Sequence, residues 1–208
     1  QFNPGRIVST SAPVDPESIR ARKCFLCVEN LPQAQRGISY EDEFLLLCNP
    51  APIFSHHYTV AHVTHKPQAI GPAFSRFLAL AKELSPDFTV FYNGPRCGAS
   101  APDHLHFQAS PFRAIPIERE LVESNRRTKE GSFEGVEVFT PNGLDREAFV
   151  LEGGDQERIE KVFSRLEAAM RKTSGIADEP LMNVLCSFDG RAWCVILFPR
   201  SKHRPNAY

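Results

Sequence analysis

The chain has 208 residues, with 24 basic and 25 acidic side chains and a formal net charge of −1. It contains no run of about 18 apolar residues, so the sequence predicts no contact with a membrane, and its balanced charge predicts no nucleic-acid partner. Because 42% of the residues are apolar, the chain is long enough to bury a core as one domain or two small ones.

Taken in chain order, the apolar patterns predict a series of strands with two helices interspersed among them. Residues 1–20 are expected to form an extended N-terminal arm. Short apolar runs bounded by turn residues predict strands at 43–48, 57–63, 88–92, 104–109, 136–139 and 148–151. Apolar residues at helical spacing predict one helix between Pro72 and Leu84 and a longer one from Asp155 to Lys172.

The C-terminal part adds a charged segment and a hairpin. Residues 118–134 are charged and show little periodicity, so we expect a loop or lid there. Two apolar runs, 182–188 and 192–198, flank Asp189-Gly190, a pair of residues typical of tight hairpin turns. This order of elements favours an α+β fold built on an antiparallel sheet.

A weak internal similarity in the sequence suggests that the chain contains two related halves in one domain. Residues 47–67 align without gaps with residues 185–205, and both stretches end in a basic His-x-Pro sequence. We therefore predict a catalytic half at 21–112 and a second, degenerate half at 113–208, packed on the first.

Three polar side chains at alternate positions mark the candidate catalytic strand. On a strand, His104, His106 and Gln108 point to one face, while Leu105 and Phe107 point to the other, toward the core. Polar groups on a buried strand face are unfavourable unless they bind something. The pattern therefore predicts a functional face, although two histidines at this spacing are also compatible with a purely structural metal pair.

The loop before this strand has the composition of an anion-binding loop. Gly94 and Gly98 allow backbone amides to approach an anion closely, and the Ser100 hydroxyl adds a donor. A phosphate held there would lie beside His106. A neutral imidazole can attack phosphorus and form a covalent phosphoramidate, provided that its other nitrogen donates to an acceptor.

Cys24 and Cys27 form a C-x-x-C pair that fits a redox pair, half a metal site or two structural thiols. A redox pair requires a strand before the first cysteine and a helix beginning on it, and the preceding residues do not resemble a strand. The chain offers six histidines between residues 56 and 106 as further ligands. The pattern therefore favours zinc, and we expect the remaining four cysteines to be buried thiols.

The pattern Asn-Gly-Pro-x-x-Gly-x-Ser, followed by His-x-His-x-Gln, resembles the histidine-triad superfamily. Its final Gln resembles the nucleotidyltransferase branch, which includes galactose-1-phosphate uridylyltransferases, diadenosine tetraphosphate phosphorylases and GDP-hexose phosphorylases. Residues 1–6, 104–109 and 182–200 are most similar to the GDP-hexose phosphorylases. The resemblance implies a histidine-triad-like antiparallel sheet with helices.

The same resemblance implies roles for individual residues. His106 would be the nucleophile that takes the nucleotidyl group, and Gln108 and Ser100 would hold its phosphate oxygens. Asn93 and Gly98, in the same motif, are expected to bind substrate. A structural zinc ion would be bound by Cys24, Cys27, His104 and His65, with His62 and His57 as alternatives for the fourth ligand.

Basic residues near both ends of the chain are further candidates. Arg6, with Asn3, is expected to reach nucleotide phosphates, and Arg200 is expected to bind the leaving or incoming phosphate. The expected function is phosphorolysis of a nucleoside-diphosphate hexose or dinucleoside polyphosphate through a nucleotidyl-histidine, by a cytoplasmic enzyme. Inorganic phosphate or a sugar phosphate is expected to accept the nucleotidyl group. The alternatives are a nucleotide hydrolase on the same scaffold and a non-catalytic nucleotide-binding module.

Overall fold

The computed structural model describes residues 15–121, 126–144, 147–176 and 178–202. Ten strands form one sheet in which each pair of neighbours is antiparallel. The strands are β1 (Gly37–Tyr40), β2 (Phe44–Cys48), β3 (Tyr58–His62), β4 (Phe88–Asn93), β5 (His106–Pro111), β6 (Arg127–Phe133), β7 (Val136–Pro141), β8 (Phe149–Gly153), β9 (Met182–Phe188) and β10 (Trp193–Pro199).

Four α-helices lie in the described ranges: α1 (Pro16–Ala21), α2 (Phe74–Glu83), α3 (Pro116–Glu120) and α4 (Gln156–Ser174). Short 3₁₀ turns occur at Val28–Asn30 and Gly71–Ala73. The predicted α+β class with an antiparallel sheet is confirmed. None of the helices in the described ranges is long and apolar enough to cross a membrane.

The same series of elements occurs twice along the chain. Strands β1 to β3, helix α2 and strands β4 and β5 are followed by strands β6 to β8, helix α4 and strands β9 and β10. The sheet order, β1-β2-β3-β5-β4-β9-β10-β8-β7-β6, is mirrored about the central β4–β9 pair. The internal similarity in the sequence instead aligned β2 and β3 with β9 and β10, which occupy different positions in the two series. The predicted boundary after residue 112 lies between β5 and α3 and stays a prediction.

Helices α2 and α4 cover one face of the sheet and form the main core with it. Phe74 of α2 stacks on Phe163 of α4, with ring centroids 3.7 Å apart. The indole N–H of Trp193 donates to the carbonyl of Leu78 at 2.9 Å, and this tryptophan is a buried core residue. Phe107 of β5 packs into the same core. The other face, to which His106 and Gln108 project, is therefore the one that can carry chemistry.

Two strands and two helices were not expected from the sequence. Residues 118–134 include part of α3 and the whole of β6, which pairs with β7, so the expected loop is wrong. Strands β6 and β1 are the two edges of the sheet and are largely exposed, which is why they show no apolar periodicity. Helix α1 begins inside the expected arm and is capped by the Asp15 carboxylate, which accepts from the Ser18 amide.

Candidate functional site

Strands β4 and β5 separate at His106, and the side chain of Gln68 fills the gap. The His106 amide donates to Gln68 Oε1 at 2.8 Å. The Gln68 amide nitrogen donates in turn to the carbonyls of Asn93 and His106, at 2.9 and 3.0 Å. Gln68 is only 2% exposed. A buried side chain thus replaces strand-to-strand hydrogen bonds at the point where the candidate nucleophile begins its strand.

The imidazole of His106 is held as a single neutral tautomer. Its Nδ1 lies 2.8 Å from the carbonyl oxygen of His104, and because a carbonyl can only accept, Nδ1 carries the proton. Nε2 therefore has its lone pair available. Burial lowers the pKa of His106 to about 4. The ring is thus neutral at physiological pH, as a nitrogen nucleophile must be.

Gln108 is oriented by His57, a residue that the sequence suggested only as an alternative metal ligand. The Ile53 amide lies 3.3 Å from His57 Nδ1, which must accept, so Nε2 carries the proton and donates to Gln108 Oε1 at 2.9 Å. The Gln108 amide N–H groups therefore point away from His57. The His57 ring is also packed between Phe54 and Phe91, with centroids 5.4 and 5.8 Å away.

The loop that follows β4 is held against the start of β9. The Gly94 amide donates to the Met182 carbonyl at 3.1 Å, and a Cβ atom at Gly94 would lie 2.7 Å from that oxygen, so only glycine fits. Gly98 has a φ of +94°, a backbone conformation that also favours glycine. Ser100 is half-buried and accepts from Arg22 through its backbone carbonyl at 3.1 Å.

The remaining predicted substrate residues lie at the centre of the sheet or outside the described ranges. Asn93 ends β4, opposite Asn183 of β9. Arg200 follows β10, and its Nη1 donates to Asn183 Oδ1 at 3.2 Å. Asn3 and Arg6 lie outside the described residues. The structure therefore brings Asn93 and Arg200 to the same residue, Asn183, which the sequence did not single out.

The four expected metal ligands lie together. One ligand atom from each of Cys24, Cys27, His65 and His104 can be chosen so that all lie within 4.8 Å of one another. His104 Nδ1 is 3.3 Å from the Cys24 sulfur and 3.6 Å from the Cys27 sulfur, and His65 Nδ1 is 3.2 Å from Cys27. These atoms could hold a metal ion, and the set fits the tetrahedral two-cysteine, two-histidine geometry.

Neighbouring groups prepare these side chains to be ligands. His104 Nε2 donates to the His62 carbonyl at 2.7 Å, so its Nδ1 lone pair faces the sulfurs. His65 Nε2 lies 3.5 Å from an Asp103 carboxylate oxygen, which frees its Nδ1 in the same way. Burial raises the pKa of Cys24, but the interactions with His104 and the hydrogen bonds from backbone amides together lower it to about 7. Burial raises the pKa of Cys27 to about 11.

The two alternatives for the fourth ligand, His57 and His62, lie outside this cluster and make other contacts. His57 is engaged with Gln108. His62 Nδ1 accepts from the Thr64 amide at 2.9 Å, and its Nε2 lies 3.0 Å from Lys66 Nζ. Of the other cysteines, Cys48 is exposed, which contradicts our expectation of a buried thiol, and Cys194 is half-buried.

Residues 1–111 match the family described as Domain of unknown function (DUF4922). The chain belongs to this family. No curated protein matches the DUF4922 chain closely enough to count as a relative.

Two solved structures share the fold of the DUF4922 chain. A DUF4931 family protein from Bacillus cereus is 13% identical, with a TM-score of 0.54 over 79% of this chain and 85% of that one. Yeast Ap4A phosphorylase is 20% identical, with a TM-score of 0.51 over 79% of this chain and 58% of the phosphorylase. These likenesses show the fold. They confirm the predicted antiparallel sheet of the histidine-triad-like type.

A buried carboxylate in the DUF4922 chain joins the two series of elements near the site. Glu179, before β9, is 9% exposed and accepts from the Ile70 amide at 2.6 Å and from the Tyr92 hydroxyl at 2.8 Å. It thereby fixes the segment after Gln68 to the end of β4. Burial raises the pKa of Glu179 to about 7.

The raised pKa of Glu179 predicts that the protein becomes less stable as pH rises. Between its usual pKa of 4.5 and about 7, this carboxyl group is protonated in the folded chain and ionised in the unfolded one. Stability is therefore highest below about pH 4.5 with respect to this group and falls by roughly 3 kcal/mol as pH rises through 7. Urea unfolding at pH 5 and pH 8 measures the difference.

The matched variants are Glu179→Gln and Glu157→Gln. A glutamine side chain cannot ionise, so the Glu179→Gln variant should lose most of the pH dependence. Glu157 is exposed in the first turn of α4, and its replacement should leave the dependence intact. An equal pH dependence in Glu179→Gln and the unmodified protein would show that Glu179 does not titrate in this range.

Proposed function

We propose that the chain is a nucleotidyl-transferring enzyme that forms a covalent intermediate on His106 and passes the nucleotidyl group to inorganic phosphate. The observation that carries this proposal is the state of the His106 ring. The ring is buried and neutral, and its one N–H is at Nδ1, where it is hydrogen-bonded to the His104 carbonyl. Such a ring presents one unprotonated nitrogen, Nε2, as the nucleophile. The substrate would be a nucleoside-diphosphate hexose or a dinucleoside polyphosphate.

In the first step, the Nε2–phosphorus bond forms and the bond from phosphorus to the bridging oxygen breaks. The phosphorylated leaving group departs with the electron pair. The proton on Nδ1 stays in place and keeps its hydrogen bond to the His104 carbonyl. This hydrogen bond stabilises the positive charge that develops on the ring. The amide of Gln108, the Ser100 hydroxyl and the backbone amide of Gly98 would hold the phosphate oxygens.

The residues around the ring favour phosphate over water as the acceptor. Water needs a base to remove its proton, and Gln108 is neutral and cannot serve as one. His57 is poorly placed to help, because Nδ1 accepts from Ile53 and Nε2 donates to Gln108. A phosphate dianion already carries a negatively charged oxygen. It can attack phosphorus without a base, break the bond to Nε2 and return the electron pair to the ring.

We infer that the cysteine–histidine cluster holds a structural zinc ion. With four protein ligands, zinc has no open position for water, so it would supply rigidity and not Lewis-acid chemistry. His104 links this cluster to the reaction: its Nδ1 faces the sulfurs, while its backbone carbonyl holds the Nδ1 proton of His106. Fixing His104 therefore fixes the tautomer of the nucleophile.

The test is a panel of nucleotides labelled on the α-phosphorus, including GDP-glucose and diadenosine tetraphosphate, with and without inorganic phosphate. We expect label on the protein when phosphate is absent, and labelled nucleoside diphosphate when phosphate is present. Equal turnover without phosphate would identify a hydrolase. Bound nucleotide with neither label nor product across the panel would identify a non-catalytic binding module and overturn the proposal.

A further inference from the structure

Asn183 connects three groups at the central pair of strands. Its Nδ2 donates to Asn93 Oδ1 and to the carbonyl of Cys97, both at 2.8 Å. Its Oδ1 accepts from Arg200 Nη1 at 3.2 Å. Because a carbonyl can only accept and a guanidinium can only donate, these contacts fix which end of the Asn183 amide is oxygen and which is nitrogen.

The orientation of Asn183 determines the orientation of Asn93. Asn93 Oδ1 must face the Asn183 donor, so the N–H₂ group of Asn93 points away from it. Within the described ranges, that N–H₂ group has no hydrogen-bond partner. The Asn93 backbone lies beside His106, since one Gln68 amide nitrogen reaches the carbonyls of both residues. Asn93 thus offers two amide protons on the strand that neighbours the one carrying the nucleophile.

Arg200 supplies a positive charge on the far side of Asn93. Across the sheet, the order is β5 with His106, β4 with Asn93, β9 with Asn183, and then β10, which Arg200 follows. Arg200 is exposed and forms no ion pair with a carboxylate in the part of the chain that the structure describes. Its charge reaches the loop as well: burial raises the pKa of Cys97 to about 11, and the charge of Arg200 acts in the opposite direction.

We propose that Arg200, held by Asn183, forms the subsite for a phosphate anion: the leaving phosphate in the first step and the incoming inorganic phosphate in the second. This inference rests on the proposed function. In phosphoryl transfer the attacking and leaving atoms lie roughly in line, so the leaving group departs on the side opposite His106. The acceptor must enter on that same side. A phosphate there carries about two negative charges and requires a cation such as a guanidinium.

The role of the positive charge on Arg200 is tested by measuring how fast the labelled enzyme passes its nucleotidyl group to phosphate. Protein labelled on the nucleotidyl group is freed of donor and mixed with increasing inorganic phosphate, and the rate of label loss is measured. We expect Arg200→Gln to raise the half-saturating phosphate concentration at least tenfold, and Arg200→Lys to raise it about threefold because the charge remains. Arg191→Gln, at an exposed hairpin position, is the matched control and should be unchanged.

Asn183→Asp tests the positioning role. Aspartate has nearly the same shape and still accepts from Arg200, but it neutralises that charge and cannot donate to Asn93 or Cys97. We expect it to raise the half-saturating phosphate concentration as Arg200→Gln does, and also to slow label formation about tenfold. A lower melting temperature with unchanged phosphate dependence would show that Asn183 is only structural.

The outcomes separate the two proposals. If the unmodified protein takes up label but Arg200→Gln discharges at the same phosphate concentrations, the subsite is wrong and the proposed function stands. If the unmodified protein takes up no label from any donor, the proposed function fails and the subsite fails with it.

Discussion

Replacing His106 with asparagine is expected to abolish the transfer of a labelled nucleotidyl group to the protein. The backbone of an asparagine at this position can keep its hydrogen bonds to Gln68. Its side-chain amide, however, has no nitrogen lone pair able to attack phosphorus. Loss of a covalent nucleophile typically lowers turnover by several orders of magnitude, and we expect a fall of at least about 10⁴-fold. Both readouts, label on the protein and product formation with phosphate, should fall together.

His56→Asn is the matched control for this substitution. His56 is exposed and lies outside the strands, two residues before β3, so it is changed in the same chemical way without touching the site. It should label and turn over normally. Label that persists in His106→Asn would mean that another side chain is the nucleophile, and the mechanism proposed here would be incorrect.

Removing one sulfur from the cysteine–histidine cluster is expected to have the largest effect on stability. Cys24→Ser leaves three ligands, and a structural site with three ligands should lose its zinc. Loss of a bound metal is among the few changes that cost more than about 4 kcal/mol. For a chain of this length, such a loss lowers the melting temperature by roughly 10 °C.

Metal content and melting temperature should change together in this variant. Mass spectrometry of protein purified without chelator should find close to one zinc ion per chain in the unmodified protein and almost none in Cys24→Ser. Cys48→Ser, at an exposed cysteine outside the cluster, should keep both its zinc and its stability. Unmodified protein without zinc, or a Cys24→Ser variant as stable as the control, would contradict a structural zinc site.

The sequence predicted the interior of the sheet better than its edges. Strands such as β3 and β10 are buried, and their apolar residues are visible as short runs bounded by turns. Edge strands β1 and β6 pair on one side only and face solvent. Their residues are not selected for burial, so no periodicity marks them. The helices α2 and α4 were predictable because each buries a single apolar face.

The cluster of two cysteines and two histidines was predictable because these residue types are unusual and their spacing resembles a known family. The groups that orient the site were not. Gln68, His57 and Asn183 are ordinary polar residues, and their partners lie 38, 51 and 90 positions away along the chain. Only the folded sheet brings these pairs together, and nothing local in the sequence marks them.

The mirrored order of the sheet has a consequence for how such a site can change. Two identical copies of one five-stranded unit, meeting at β4 and β9, would carry the same residues on both sides of the junction, and any substitution would alter both. When both units lie in one chain, each side can vary alone. Only β5 carries the His-x-Gln pattern, while β9 contributes Asn183 at the junction. Because the two units are covalently linked, they can carry different residues and take different roles, which two identical copies could not do.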